Sequence, residues 1–195
     1  QMAITTEDIK ELRDATGVSI MQCRKALEEA EGDMGKAVII LRKASSSIAA
    51  KKADRELNAG AVSAYVHSNG TVGAMVTLSC ETDFVSKNPE FVALARDIAM
   101  HIVASNPLVV RSEEMPKDVI EKAKEVFAKE AEGKPAGVRD TIIAGKLKEY
   151  LSERVLLEQA FIKDTDTTIR GLIESATQKF GEKIEVREFS RFSVR

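Results

Sequence analysis

Two cysteines and two histidines are the side chains of this sequence best suited to covalent or metal chemistry. Cys23 and Cys80 lie far apart with no paired spacing, which argues against a metal site. Cys80 could act as a nucleophile with His101 as its base, but the sequence supplies no third group to orient that base. Both cysteines also fall on apolar faces, Cys80 on a predicted strand and Cys23 on a predicted helix, where packing is their usual role. We therefore expect no catalytic residue, no metal and no cofactor.

The segment Cys80–Val85 places an acid, Asp83, beside a large aromatic ring, Phe84. Alternating apolar residues over 72–80 predict a half-buried strand before it, and Asn88-Pro89-Glu90 predicts the start of a helix after it. Asp83 and Phe84 therefore fall on a connecting loop, and such loops ordinarily run over the surface. The ring could fold back onto its own core or remain exposed for a partner, and the local residues leave both possibilities open.

The composition describes a globular protein with little charge preference. Of its 195 residues, 44% are hydrophobic and 31% are charged, and the formal net charge is -2. Nucleic-acid binding relies on a basic face and often on aromatic stacking, yet only 5% of the residues are aromatic and none is Trp. Short apolar runs broken by charge predict neither a signal peptide nor a membrane span. Unpaired cysteines favour a reducing, cytoplasmic location.

The amino-terminal region predicts three short helices. Thr5 with Asp8 has the spacing of a capping box, Ser19 with Gln22 repeats that signal, and Gly32-Asp33 interrupts and caps a third helix. A bundle this small has a marginal core, which suits a docking module better than a catalyst. The predicted buried positions are Ile9, Leu12, Ile20, Cys23, Leu27, Ala30, Met34, Ala37, Val38 and Leu41.

The remainder of the chain predicts an antiparallel sheet packed with helices, and the fold class is therefore α+β. Asn69-Gly70 supplies a hairpin turn between two predicted strands. The predicted domains are a three-helix module over residues 1–44, a partly helical linker over 45–60 and an α+β core over 61–195. The expected elements of the core are strands at 62–66, 72–80, 157–162 and 184–194, and helices that open near Pro89, Pro116 and Asp140.

Several segments in register resemble the bacterial elongation factor Ts family over essentially the whole chain. Any one of these matches alone would be weak, but their common order is specific. The matching segments are residues 12–17 (LRDATG), 20–27 (IMQCRKAL), 32–33 (GD), 49–53 (AAKKA), 82–85 (TDFV), 99–107 (AMHIVASNP), 145–148 (GKLK) and 156–159 (LLEQ).

The resemblance implies a guanine nucleotide exchange factor for the translational GTPase elongation factor Tu, and an amino-terminal bundle like ubiquitin-associated domains. By similarity Phe84 is a wedge between helices of the GTPase, and Asp83 disturbs its Mg²⁺ shell. His101 lies in the family's second contact motif, although a core-facing histidine is an equal alternative.

Contacts of the bundle carry over in the same way. Arg13, Ile20 and Met21 fall where the family's amino-terminal module grips the GTPase, and Lys52 is a weaker candidate. Ile20 also fits the predicted buried stripe, whereas Met21 does not. The chain has one core carrying both contact motifs, which resembles the short form of the family and implies a homodimer that binds two GTPases.

Two other functions fit the residues. A docking adaptor, with the three-helix bundle tethered to an α+β domain that binds helices, would bind a partner without changing nucleotide release. A cysteine-dependent enzyme would lose its activity on Cys80→Ala and would turn over substrate with no GTPase present. Direct binding of nucleic acid ranks last because of the charge and the aromatic content.

Overall fold

The computed structural model describes residues 4–194, and its mixture of helices and small sheets confirms the α+β class. Residues 1–3 and 195, which belong to the outer predicted domains, lie outside the described residues. The helices are α1 Thr6–Thr16, α2 Ile20–Glu29, α3 Met34–Lys51, α4 Asp83–Ser86, α5 Pro89–Ser105, α6 Lys117–Glu130, α7 Ala136–Arg154 and α8 Ile169–Phe180. The strands are β1 Ala59–Val66, β2 Val72–Cys80, β3 Ala160–Phe161, β4 Asp164–Thr168 and β5 Glu185–Ser193.

The chain divides into two compact units that are discontinuous in sequence. The first unit holds residues up to Ala61, residues 78–92 and residues 170–185. The second unit holds residues 62–77, residues 93–169 and the chain from Val186 onward. The boundaries of the three predicted domains stay a prediction, and each unit is described separately below.

The first unit contains the predicted bundle of α1, α2 and α3. The capping box of α1 is present, since the Asp8 N–H donates to Thr5 Oγ1 and the Thr5 N–H donates to Asp8 Oδ2 at 2.8 Å. The left-handed conformation that ends α1 falls on Gly17, with φ of 68°, where an L side chain would be strained. The buried bundle residues are Ile9, Leu12, Val18, Cys23, Ala26, Leu27, Ala30, Ala37 and Leu41.

Ile20 is not part of this buried stripe, so that expectation is wrong. At 100° per residue, Ile20 lies about 70° from the middle of the stripe that Cys23 and Leu27 help to form. Ala26, closer to the middle, is buried in its place, and Ile20 is 53% exposed.

The third bundle helix is longer than expected. α3 continues through the predicted linker to Lys51, and Ser45 within it is buried. Serine clusters are typical of linkers, but here the Ser45 hydroxyl donates to the Leu41 carbonyl of the same helix at 2.9 Å. A serine that bonds back to its own helix can continue that helix into the interior.

The hairpin of β1 and β2 is confirmed, and β2 lies in the middle of the strand order β1-β2-β5. The turn at Gly70 has φ of 69°, as expected from Asn69-Gly70. Alternate residues of β2 point to the core, including Val76 and Leu78.

The second unit contains a hairpin of α6 and α7 that differs from prediction. Val126 of α6, expected inside, is exposed, and no residue of α7 is fully buried, so α7 is not a core helix. The two helices pack against each other, with Phe127 edge-on to Tyr150 at 6.1 Å between ring centroids. Each helix uses one face for this contact and leaves much of the remaining surface open to solvent.

The segment after α7 also departs from prediction. The strand expected over 157–162 shrinks to β3, because its first residues form a 3-10 turn over Leu156–Glu158. Neither β4 nor α8 was predicted from the sequence. β4 consists only of Asp and Thr and has no apolar alternation, whereas Ile169 and Ile173 of α8 have helical spacing that could have identified it.

Candidate partner-binding site

The Asp83-Phe84 pair opens a four-residue helix, α4, between β2 and α5. Val85 is buried and attaches α4 to the first unit, whereas the Phe84 side chain next to it is 86% exposed. Of the two possibilities for the Phe84 ring, the structure shows the exposed one: the ring does not fold back onto the core. A large apolar ring held in solvent on a short, anchored helix is well placed to insert into another protein.

The entry to α4 is tied to the turn that follows α8. The carboxylate of Glu182 accepts hydrogen bonds from the backbone N–H groups of Glu81 and Thr82, at 3.1 Å and 3.0 Å. The Glu81 carboxylate accepts in turn from the Lys183 N–H at 2.6 Å and from Arg55. Burial raises the pKa of Glu81, but these hydrogen bonds outweigh it and hold the pKa below its ordinary value. Glu81 is therefore ionised at neutral pH.

Asp83 itself is free to act on a partner. Its carboxylate forms an ion pair with Lys87, one turn further on, at 3.4 Å, and both side chains are exposed. Exposed pairs of this kind contribute little and exchange readily. An incoming cation or its hydration shell could therefore compete for the Asp83 carboxylate.

The bundle residues named by the resemblance also lie on the surface of the first unit. Arg13, Ile20 and Met21 are all exposed, and Met21 is 78% exposed. Ile20 and Met21 open α2 directly after its Ser19 cap, so a fixed helix end presents both apolar side chains. Lys52 differs from them, because its ammonium donates to the Gly181 carbonyl at 2.7 Å and so has a structural role.

His101 belongs to the second unit and is completely buried on α5. Its Nδ1 accepts from the Ile162 N–H at 3.4 Å, so the proton is on Nε2, which donates to Gln159 Oε1 at 2.9 Å. Burial lowers the pKa of His101, although the hydrogen bond to Gln159 opposes that shift. The alternative of a core-facing histidine agrees with this burial. Direct contact of His101 with a partner stays a prediction, and it would require the ring to leave the core.

The surroundings of each thiol raise its pKa on balance. Burial, followed by the charge of Glu182, raises the pKa of Cys80, whose Sγ donates to the Thr82 carbonyl at 3.3 Å. Burial likewise raises the pKa of Cys23. A thiol kept protonated is a poor nucleophile, which argues against a cysteine-dependent enzyme.

Within residues 4–194 no cluster of His, Cys, Asp and Glu could hold a metal ion. The same residues include no helix with the length and apolarity needed to cross a membrane.

The second unit carries an exposed apolar sheet face that was not predicted from the sequence. The strand pattern identifies β1, β2 and β5, but it cannot say which of their faces has a covering layer. A groove of about 380 Å³ runs along this face, and Phe192 beside it is 71% exposed. The large exposed side chains of the face are Val62, Val66, Met75, Phe192 and Val194.

Comparison with known proteins agrees with the resemblance. The model of a family described as "Elongation factor TS" matches residues 7–195. A protein named elongation factor Ts from Carboxydothermus hydrogenoformans is 48% identical over 193 residues, covering 98% of this chain and 89% of the relative. Proteins of the same name from Thermodesulfovibrio yellowstonii and Desulfotalea psychrophila are 47% and 43% identical, each covering 99% of this chain and 97% and 99% of the relative.

Proposed function

The chain belongs to the elongation factor Ts family, a family of translation elongation factors, and on that premise we propose that it is a guanine nucleotide exchange factor for elongation factor Tu. In this role it carries out no chemical reaction of its own and works in the cytoplasm, where the GTPase is reloaded. The observation that carries the proposal is the solvent-exposed ring of Phe84 beside Asp83 on the anchored helix α4.

The mechanism follows from how GTPases hold GDP. A phosphate-binding loop and Mg²⁺ neutralise the phosphate charge through backbone amides and a shell of water and side chains. Phe84 inserts between helices of the GTPase and shifts them as rigid elements. Asp83, whose exposed carboxylate is only loosely paired, approaches the Mg²⁺ shell and competes for its ligands. Both effects weaken the nucleotide site without any covalent step.

The energetic requirement is moderate. Weakening the site by about 4 to 5.5 kcal/mol accelerates GDP release about a thousandfold to ten-thousandfold, if the whole loss appears in the dissociation rate. The coupling is reciprocal, so bound GDP weakens the grip of this protein on the GTPase by the same factor. The factor is therefore displaced when nucleotide rebinds.

The bundle supplies the affinity that this cycle needs. Met21 and Ile20 are exposed apolar side chains on a rigid helix end, with the guanidinium of Arg13 on the preceding helix. Apolar anchors with an arginine are typical of binding hot spots. We assign docking to these residues and perturbation of the nucleotide site to α4.

The exposed sheet face supports a homodimer as the working form. Contiguous apolar surface on a sheet is unusual in a monomer and marks an association surface. A second copy supplies a matching face, since an isologous interface uses the same patch twice. We expect the intact chain to sediment as a dimer at micromolar concentration and Phe192→Asp to sediment as a monomer. A stable monomer of the intact chain with full exchange activity would remove the dimer from the proposal.

The deciding experiment measures release of a fluorescent GDP analogue from elongation factor Tu. The intact chain is compared with Asp83→Ala/Phe84→Ala, and Leu108→Ala is a control for loss of an exposed apolar side chain elsewhere. Strong acceleration by the intact chain and the control, and little by the double variant, is the expected result. Binding to the GTPase with no acceleration by any variant would favour the docking adaptor. Equal acceleration by all three would keep exchange and move its site away from α4.

A further inference from the structure

The helix that carries Phe84 lacks the usual cap at its beginning. Thr82 is the N-cap residue of α4, yet its side chain makes no hydrogen bond to the helix backbone. Its hydroxyl donates instead to Glu182 Oε1 at 2.5 Å. The other carboxylate oxygen of Glu182 accepts from the Glu81 and Thr82 N–H groups. One side chain, about 100 residues away along the sequence, therefore receives three hydrogen bonds from two consecutive residues before α4.

The turn that carries Glu182 is itself fixed on both sides. Gly181 has φ of 72°, and its carbonyl accepts from the ammonium of Lys52 at the end of α3. The Lys183 ammonium donates to the carbonyls of Ala53 and Arg55, at 2.6 Å and 3.1 Å, and Ile184 is buried. Glu182 is therefore held between two anchored neighbours.

The end of α8, directly before this turn, contacts the bundle. The side chains of Gln178 on α8 and Ser45 on α3 are hydrogen-bonded, and Lys179 forms an ion pair with Glu90 at 2.9 Å. The aliphatic part of Lys179 also lies against Gly17, where an added Cβ would come within 2.9 Å of its Cδ. The end of α8 and the following turn thus contact both the bundle and the entry to α4 inside the first unit.

We propose that Glu182 is a positioning residue for nucleotide exchange: it fixes the first turn of α4 relative to the α8 end, and so sets the direction in which Phe84 is presented. The inference rests on the proposed function and deepens it. Glu182 touches no partner in this scheme and acts through the backbone of residues 81 and 82 and the Thr82 hydroxyl.

The physical reason is the exposure of Phe84 itself. A ring that is 86% exposed has almost no packing of its own, so its direction is set by the backbone beneath it. Val85 in the core and Glu182 at the entry are two of the attachments of that backbone, beside the bonds of the Cys80 thiol and the Glu81 carboxylate. With Glu182 removed, the entry to α4 loses three hydrogen bonds, and the wedge must be ordered when the complex forms. Ordering at that step costs conformational entropy that a preorganised loop does not lose.

The experiment compares Glu182→Ala, Glu182→Gln and the intact chain in the GDP-release assay, titrated to saturation. Glu56→Ala, which removes an exposed glutamate of the same unit, is the matched control. We expect Glu182→Ala to lower the maximal release rate about tenfold, with little change in the half-saturating concentration, because the docking residues are untouched. Glu182→Gln should recover most of the rate, since its amide oxygen can still accept from both N–H groups.

A second readout requires no GTPase. Amide hydrogen exchange of Glu81 and Thr82 in the free chain should accelerate in Glu182→Ala and much less in Glu182→Gln. Melting temperatures of the variants and the control identify any general loss of folding; if Glu182→Ala does not fold, the Gln variant and an Asp variant carry the comparison.

Unchanged maximal release in a folded Glu182→Ala would overturn the assignment, as would equal losses in Glu182→Ala and Glu56→Ala. A loss that appears only in the half-saturating concentration would also overturn it, because it would make Glu182 part of docking. Absence of acceleration by the intact chain would instead overturn the proposed function. Hydrogen exchange would then still decide whether Glu182 holds the entry to α4.

Discussion

Two residues singled out by family motifs lie in opposite environments. Phe84 on α4 of the first unit is exposed, whereas His101 on α5 of the second unit is buried. Both were identified through motifs of the same family, and both combine a ring with polar neighbours. Phe84 has almost no contacts of its own, while both ring nitrogens of His101 are bonded inside the core. Two motifs of one family thus differ in burial, and we expect the exposed one to act in binding and the buried one in folding.

The largest effect is expected from Phe84→Ala. Removal of an exposed wedge should reduce the acceleration of GDP release about a hundredfold, as for a central hot-spot aromatic, and leave stability unchanged. Stopped-flow release and urea denaturation of the same sample give both quantities. A folded variant that keeps full acceleration would mean that Phe84 is only an incidental exposed ring.

His101→Ala should have the reverse profile. It removes two hydrogen bonds and leaves a cavity beside Phe161, so we expect the free energy of unfolding to fall by about 2 to 4 kcal/mol. His67, the other histidine, is exposed, and His67→Ala is the matched control with little expected change. Urea denaturation measures stability, and the release assay on folded protein measures function. Full stability with strongly reduced exchange in His101→Ala would place His101 among the partner contacts after all.

A smaller effect is expected from pH. Burial lowers the pKa of His101 in the folded state, so below the ordinary histidine pKa the unfolded chain binds more protons than the folded one. The stability associated with neutral His101 is present above about pH 6.5 and is lost as the pH falls below it towards the folded-state pKa. Urea midpoints at about pH 7.5 and about pH 5.5 should differ more for the intact chain than for His101→Gln. Equal differences would show that other groups dominate in this range.

The smallest predicted effect concerns the docking end of the first unit. Met21→Ala should raise the half-saturating concentration for exchange about fivefold to tenfold and leave the maximal rate in place, because it removes one apolar anchor away from α4. Titration of the release assay separates the two parameters. A lower maximal rate with unchanged half-saturation would assign Met21 to the same step as Phe84.

Local signals predicted much of the framework. The capping pairs at Thr5 and Ser19 and the turn at Asn69-Gly70 are interactions between near neighbours. The structure confirms the capping box at Thr5 and the turn, and at Ser19 it confirms the cap bond from the Gln22 N–H. The predictions fail where packing partners decide the outcome. α3 extends past the serines, where the buried Ser45 bonds to the Leu41 carbonyl and to the Gln178 side chain of α8. α7 packs against α6 and has no fully buried residue.

Some residues of the candidate site were also predictable from local patterns and others were not. The sequence placed Asp83 and Phe84 on a connection after a strand, and it placed Met21 off the buried stripe. It could not predict the role of Glu182, because the hydrogen bonds of Glu182 to residues 81 and 82 join parts of the chain that are far apart in sequence.

The α+β class, the three helices of the bundle, the hairpin and the family were all predictable from the amino-acid sequence. Each of these depends on spacing between close residues or on motifs whose order can be read directly. The exposure of Phe84, the burial of His101 and the lack of a covering layer over one sheet face within residues 4–194 became evident only from the folded structure. The exposure of a side chain depends on which segments, distant in sequence, pack against it. A periodic pattern identifies an apolar face but does not identify the segment that covers it.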